Sequence, residues 1–236
     1  MLINAAFIII GDEVLSGRTA DKNLNFLAQE LTAMGINLKE VRVVPDDEVE
    51  IIAAVNALRK KFNYVFTSGG IGPTHDDITS AAIAKAFNDD LIKNKEAEQI
   101  LIDYYGQENV NEARLKMAFV PSRATLLDNP VSSAPGFIIE NVIVMAGVPK
   151  IMQAMFFAAA KNLVGGDKII SKEIKINLTE SIIAKDLTDL QKEFSGVSMG
   201  SYPFDGGTAL VFRSIDAQLL EKAVEKMTQI INNKTN

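Results

Sequence analysis

Three loops that each follow a predicted strand carry the residues best suited to chemistry. They contain Gly11-Asp12-Glu13, Asp46-Asp47 and the segment from Gly69 to Asp77, which reads Gly-Gly-Ile-Gly-Pro-Thr-His-Asp-Asp. Glycines allow backbone N–H groups to approach a ligand closely, and the N-terminus of the helix predicted after the third loop favours an anion. The third loop therefore predicts a phosphate-binding site, although an ordinary tight turn between a strand and a helix is an equally open interpretation.

Carboxylates surround the predicted phosphate site. A divalent cation would offset their repulsion of a phosphate and would polarise a phosphoryl oxygen. The candidate ligands of this cation, which we expect to be Mg²⁺, Mn²⁺ or Co²⁺, are Asp12, Glu13, Asp46 and Asp76. Asp46 and Asp76 are also the candidate catalytic residues, because they could hold the ion or orient a water molecule. The chain has no Cys and one His, which excludes thiolate and two-His metal sites within it and leaves oxygen ligands.

The expected contacts to a phosphate-bearing ligand combine the loop backbone with neighbouring polar side chains. They are Gly11, Asp12, Ser68, Gly69, Gly70, Gly72, Thr74, Asp77 and Thr79. For Asp77, as for Asp47, helix capping is the favoured interpretation, because each precedes a predicted helix. His75 could act as a base or serve as a hydrogen-bonding spacer. The loop matches neither the Walker pattern nor G-x-G-x-x-G, so the usual nucleotide motifs are not supported.

The pattern of apolar residues indicates the elements that position these loops. Strands are predicted at Ala5–Ile10, Leu38–Val44 and Tyr64–Thr67, with helical segments between and after them. Strand–helix–strand units at this spacing form right-handed crossovers and a mostly parallel sheet in an α/β fold. Because ligands bind at the carboxyl ends of parallel strands, the three loops should converge if the three strands are neighbours.

The chain changes character at Gly165-Gly166-Asp167, which is its clearest boundary signal. Residues 1–165 are predicted to form the α/β domain. Residues 166–236 are predicted to form a smaller α+β domain, because their strand and helix patterns follow each other in the order βαββα.

Composition narrows the class of protein further. The chain of 236 residues is 47% hydrophobic and 23% charged, which is ordinary for a globular protein. Its net charge of −6 argues against a nucleic-acid partner. No apolar run approaches the roughly 20 residues that a membrane span needs. We therefore expect a soluble, cytoplasmic protein without nucleic-acid or membrane partners.

The three loops resemble the motifs of one family. Gly11–Asn23, Val44–Asp47 and Gly69–Thr79 are similar to MoaB/Mog-like molybdopterin-binding domains, in particular the N-terminal type found in CinA, the competence/damage-inducible protein, and in eukaryotic FAD synthases. Segments 129–136 and 147–149 resemble two later family motifs. The family usually has Glu two residues after Pro-Gly-Val-Pro, where this chain has Ile151. The segment from residue 166 onwards is similar to the KH-like βαββα module of CinA proteins.

The resemblance implies a three-layer α/β/α fold that binds a nucleotide or pterin phosphate at the glycine loop, with a divalent cation at the acidic loops. It implies a metal-dependent pyrophosphatase that acts on ADP-ribose- or FAD-like nucleotides. Two alternatives stay open: a molybdopterin adenylyltransferase of molybdenum cofactor biosynthesis, and a non-catalytic module that binds a nucleotide or pterin. Because relatives are often dimers or trimers, we also expect a homo-oligomer.

Overall fold

The computed structural model describes residues 1–235. They divide into an N-terminal unit, Met1–Gly166, and a C-terminal unit that begins at Asp167. In chain order, the N-terminal unit contains β1 (Ile3–Ile10), α1 (Asp12–Leu15), α2 (Asn23–Ala33), β2 (Ile36–Val44), α3 (Glu48–Arg59), β3 (Tyr64–Ser68), α4 (Thr79–Ala86), β4 (Leu91–Lys93), α5 (Lys95–Tyr105), a 3₁₀ turn (Gln107–Asn109), α6 (Glu112–Lys116), β5 (Phe119–Pro121), β6 (Thr125–Leu127), β7 (Gly136–Ile139), β8 (Val142–Met145) and α7 (Pro149–Ala160). The C-terminal unit contains β9 (Ile170–Ile176), α8 (Glu180–Glu193), β10 (Ser198–Phe204), β11 (Gly207–Ser214) and α9 (Ala217–Thr235).

The main sheet of the N-terminal unit has six strands in the order β2-β1-β3-β8-β7-β6. The strands β2, β1, β3 and β8 run parallel to one another. The pairs β8–β7 and β7–β6 are antiparallel, so that β7 and β8 form the hairpin at the edge of the parallel part. β1 lies between β2 and β3, which confirms that the three strands before the three loops are parallel neighbours.

Helices cover both faces of this sheet because side chains alternate along each buried strand. Ala6, Ile8 and Ile10 of β1 belong to an apolar cluster that includes residues of α3 and α4. Ala5, Phe7 and Ile9 belong to a second cluster that includes residues of α2 and α7. The sheet is therefore the middle of three layers, and the expected three-layer α/β/α fold is confirmed.

The C-terminal unit has the expected element order βαββα. Its three strands form an antiparallel sheet in the order β10-β11-β9. A separate apolar core, which includes Ile183 of α8, Phe212 of β11 and Met227 of α9, joins both helices to one face of this sheet. Among residues 1–235, no helix combines the length and the apolar composition that crossing a bilayer would require.

Candidate functional site

The three loops converge where the sequence predicts. The Gly11 N–H donates to the Val44 carbonyl at 3.1 Å, which joins the end of β1 to the end of β2. The Asp12 N–H donates to Asp46 Oδ2 at 3.0 Å, which joins the first acidic loop to the second. On the other side of β3, the Gly69 N–H donates to the Met145 carbonyl at 3.1 Å. These contacts fix the loops along one edge of the sheet.

The converging loops line a cavity of about 580 Å³, which we call the main cavity. The predicted site residues among its lining are Gly11, Glu13, Asp46, Gly69, Gly70, Gly72, Asp76 and Asp77. Ser68 instead lines a smaller neighbouring cavity of about 50 Å³, which we call the side cavity. Asp12, Thr74 and Thr79 line neither one. The His75 side chain is 98% exposed and also lies outside both cavities.

The glycine loop has a conformation that only glycine adopts without strain. Gly69 and Gly70 have φ of +107° and +69°. A Cβ on Gly69 would lie 2.1 Å from the Ile10 carbonyl oxygen, and one on Gly70 would lie 2.0 Å from Thr79 Oγ1. The Thr79 hydroxyl donates to the Gly69 carbonyl at 3.0 Å, and the Thr79 N–H donates to the Gly70 carbonyl at 2.9 Å. Thr79 therefore holds the loop in shape from behind.

Asp77 closes the loop and does not cap the following helix. Its Oδ2 accepts from the Thr74 N–H at 2.8 Å and from the Thr74 hydroxyl at 2.5 Å. The helix α4 begins two residues after Asp77, and no side chain caps it. The capping interpretation is thus wrong for Asp77, because its carboxylate is engaged by donors that precede it. The same interpretation is confirmed for Asp47, whose carboxylate accepts from Val49 N and Glu50 N at the start of α3.

The surroundings of Asp46 and Asp76 shift their pKa values in opposite directions. Burial raises the pKa of Asp46, the Asp12 N–H lowers it, and the charges of Asp12, Glu13 and Asp76 raise it further. The nearby Thr74 hydroxyl and the Asp76 backbone N–H lower the pKa of Asp76, and the charges of His75 and Lys116 add to this effect. Two carboxylates of one cavity whose pKa values shift in opposite directions are suited to different roles, since a raised pKa makes a carboxylate a better proton acceptor.

The candidate metal ligands are close enough to influence one another but are not gathered into a cluster. The charges of Asp12, Glu13 and Asp76 all act on Asp46. Within the described residues, no three carboxylate or imidazole groups are arranged to hold a metal ion. The donor set has the chemistry of a hard-cation site, since all four side chains offer oxygens. Proteins commonly hold Mg²⁺ with one or two carboxylates together with phosphates of the ligand. These four side chains would therefore form a cation site only together with a phosphate-bearing ligand.

The main cavity also has an apolar part, which we call the apolar wall and which the sequence patterns did not predict. Its members come from distant parts of the chain: Tyr105, Met117, Ala134, Val148 and Ile151. Tyr105 ends α5 and Met117 follows α6, so that the segment between α4 and β6 supplies one side of the cavity. Ile151 also packs against the apolar cluster beneath the site. Ala134 and Val148 lie in segments that resemble family motifs, and Ile151 departs from the family pattern, but no local pattern places Tyr105 and Met117 beside them, because their shared position arises from packing of separate elements.

Asn129 and Gly147 also line the main cavity. They lie in segments 129–136 and 147–149, which resemble family motifs. The Asn129 side chain accepts from Val131 N and Ser132 N and donates to the Ala134 carbonyl, so it shapes its own turn. A Cβ on Gly147 would lie 3.3 Å from Gly69 Cα, which shows that the loop before α7 packs directly against the glycine loop.

Comparison with known families assigns each unit separately. The profile of a family described as "probable molybdopterin binding domain" matches residues 6–165. The profile of "FAD synthase, middle domain" matches residues 168–235.

Individual relatives agree with this division. A protein of Archaeoglobus fulgidus is 35% identical over 97% of this chain and 99% of its own length. A probable FAD synthase of Caenorhabditis elegans is 32% identical over 84% of this chain and 43% of its own length. Among solved structures, the protein CinA of Thermoplasma acidophilum, described as having unknown function, is 37% identical with a TM-score of 0.64; the match covers 67% of this chain and 96% of that one.

Proposed function

Since the chain belongs to the probable molybdopterin-binding domain family, with CinA-like relatives, we propose that it binds a nucleotide or pterin phosphate and hydrolyses the pyrophosphate bond of an ADP-ribose- or FAD-like nucleotide. One observation carries this proposal. The glycine loop, the carboxylates Glu13, Asp46 and Asp76 and the apolar wall all line a single cavity. Such a cavity offers both donors for phosphates and an apolar surface for a flat ring.

The glycine loop would bind the phosphates. Its backbone lines the cavity without side chains at Gly69, Gly70 and Gly72, and α4 begins after the loop, at Thr79. Backbone N–H groups and a helix N-terminus stabilise negative charge, including the charge that builds on a phosphoryl group as it is attacked. The apolar wall formed by Tyr105, Met117 and Ile151 would hold the nucleoside or pterin ring.

A divalent cation, Mg²⁺, Mn²⁺ or Co²⁺, would be held by Asp76 with Glu13, Asp12 or Asp46, and it would polarise a phosphoryl oxygen. Asp76 suits this role because its lowered pKa keeps it ionised. Asp46, whose pKa is raised, suits the role of proton acceptor. Asp46 would take a proton from a water molecule while the oxygen of that water bonds to one phosphorus. The bridging oxygen would then leave with the other phosphate, so that ADP-ribose yields AMP and ribose 5-phosphate.

The test is incubation of the purified chain with ADP-ribose or FAD and each of the three cations, with chromatographic detection of AMP. We expect AMP release that stops with a chelator, and a loss of 10²-fold or more in rate for Asp76→Asn. Asp205→Asn, which removes an exposed carboxylate from the turn between β10 and β11, is the matched control. Nucleotide binding without release of AMP from either compound would contradict hydrolysis and support the non-catalytic alternative.

A second candidate function rests on the family description, which names molybdopterin. In an adenylyltransferase the same loop and carboxylates would bind ATP, and a pterin phosphate would attack in place of water. Incubation with ATP and molybdopterin would then release pyrophosphate, and ATP alone would release none. Pyrophosphate release with the pterin but no AMP from ADP-ribose would favour this function over the first.

A further inference from the structure

The side cavity adjoins the main cavity but has its own lining. Both are lined by Ile10, Glu13, Thr19, Gly147 and Pro149. The side cavity alone is lined by Ser68, by residues 20–22 before α2 and by Asn23, the first residue of α2. Its volume of about 50 Å³ excludes a ring but has room for a hydroxyl group or for water.

Asn23 lines this cavity, and its side chain carries a buried acceptor without a hydrogen-bond partner. The residue is 4% exposed, and its Nδ2 donates to the Gly147 carbonyl at 2.8 Å. Its Oδ1 is buried and has no hydrogen-bond partner. A buried acceptor without a donor costs free energy, so a ligand group that donates to it would gain affinity. The bond to Gly147 fixes the amide, and with it the direction of the oxygen.

A ligand hydroxyl fits the chemistry of the cavity. The occupant must donate a hydrogen bond to Asn23 Oδ1, which excludes a phosphate oxygen or a carbonyl. The buried Ser68, which carries a hydroxyl of its own, also lines the cavity. A hydroxyl both donates and accepts, so it can bond to an amide oxygen and a serine hydroxyl together. Gly147 packs against Gly69, which places this cavity beside the loop that would bind the phosphates.

We propose that Asn23 is a ligand-binding residue whose Oδ1 accepts a hydrogen bond from a ribose hydroxyl of the bound nucleotide. This inference rests on the proposed function and deepens it, because it assigns a sugar subsite beside the phosphate loop. A pterin phosphate that carries no nucleotide lacks such a ribose. The subsite therefore favours ribonucleotides over deoxyribonucleotides.

The experiment is calorimetric titration of the full chain, with Mg²⁺, using AMP, 2′-deoxy-AMP and 3′-deoxy-AMP. We expect the wild-type chain to bind one deoxy analogue about tenfold more weakly than AMP. Asn23→Ala should bind AMP about tenfold more weakly and should bind AMP and that analogue equally. Asn23→Asp keeps an oxygen at the acceptor position and should keep the discrimination, even if its affinity falls because the bond to Gly147 is lost.

Asn4→Ala is the matched control. Asn4 also has a buried Oδ1 without a partner, but it lies at the opposite end of β1 and lines neither cavity. The affinities of the Asn4→Ala variant for the three nucleotides should equal those of the wild-type chain. Equal binding of all three nucleotides by the wild-type chain would overturn the inference even if Asn23→Ala failed to fold. Unchanged discrimination in Asn23→Ala would also overturn it and leave only water in the side cavity. Absence of any binding of AMP and ADP-ribose would remove the proposed function together with this inference.

Discussion

At the scale of single residues, the site depends on how the fold shifts the pKa values of its carboxylates. Asp46 and Asp76 have the same side chain and line the same cavity, yet their pKa values shift in opposite directions. Asp46 is partly buried and faces three negative charges, whereas Asp76 is exposed and is stabilised by hydrogen bonds. The difference assigns proton transfer to Asp46 and cation binding to Asp76 in the proposed reaction.

We expect Asp46→Asn to stabilise the protein at pH 7.5 while it lowers the rate of AMP release by 10²-fold or more. Folding raises the pKa of Asp46, so its ionised form destabilises the folded state at any pH above that raised value. Asn removes this charge and can still accept the Asp12 N–H. The midpoint of thermal unfolding should rise by about 1–3 °C at pH 7.5. The gain should shrink as the pH falls towards 4, because the wild-type carboxyl then becomes protonated.

Asp47→Asn is the control for this prediction. It removes the same charge from the neighbouring residue, and Asn caps a helix as well as Asp does. Its midpoint should change by no more than about 1 °C. A lower midpoint for Asp46→Asn at pH 7.5 would mean that the carboxylate stabilises the fold, contrary to its raised pKa.

At the scale of elements, the site depends on how tightly the loop after β3 packs on the end of β1. The Gly69 backbone lies directly against the Ile10 carbonyl, and Thr79 of α4 bonds back to the same glycine. The loop is therefore held between two strands and a helix. The Asp77 carboxylate accepts a hydrogen bond from Thr74 within the loop, and the start of α4 has no side-chain cap.

Gly69→Ala should destabilise the protein much more than Gly17→Ala. Both glycines have positive φ, so each substitution costs about 1–2 kcal/mol in backbone strain. A Cβ at Gly17 would meet nothing within 4 Å, whereas one at Gly69 would lie 2.1 Å from the Ile10 carbonyl oxygen. The added clash should bring the loss for Gly69→Ala to about 3 kcal/mol or more. Denaturant unfolding of both variants measures the difference, and equal losses would show that the loop can shift away from β1.

At the scale of the whole molecule, the two units have separate cores and separate family matches. All the described residues that line the main and side cavities belong to the N-terminal unit. The C-terminal unit has its own apolar core built from β9, α8, β11 and α9. The residues to which the proposed chemistry is assigned therefore all lie in the first unit.

We expect a fragment of residues 1–166 to fold and to bind AMP with an affinity within about twofold of that of the full chain. The physical reason is that the fragment keeps the six-stranded sheet, the helices on both of its faces and the complete lining of both cavities. Calorimetry on the fragment and the full chain provides the comparison. A folded fragment with strongly weakened binding would show that the C-terminal unit contributes to the site.

The sequence by itself determined the strands β1, β2 and β3, their parallel arrangement, the glycine loop and the family. Apolar runs, helix periods and glycine turns are local patterns, because they reflect hydrogen bonding and burial among residues near one another in the chain. It also identified most of the carboxylates that line the main cavity, since parallel strands bring their carboxyl ends to one edge.

Only the tertiary structure decided the rest of the site. It showed that Asp77 closes a loop, that Thr79 supports the loop from behind, and that Tyr105, Met117 and Ile151 form the apolar wall. It also left the Asn23 oxygen unpaired beside Gly147, a residue 124 positions away. A cavity wall, a buried unpaired acceptor and a shifted pKa all depend on which distant segments pack together, and no local pattern in the chain records that packing.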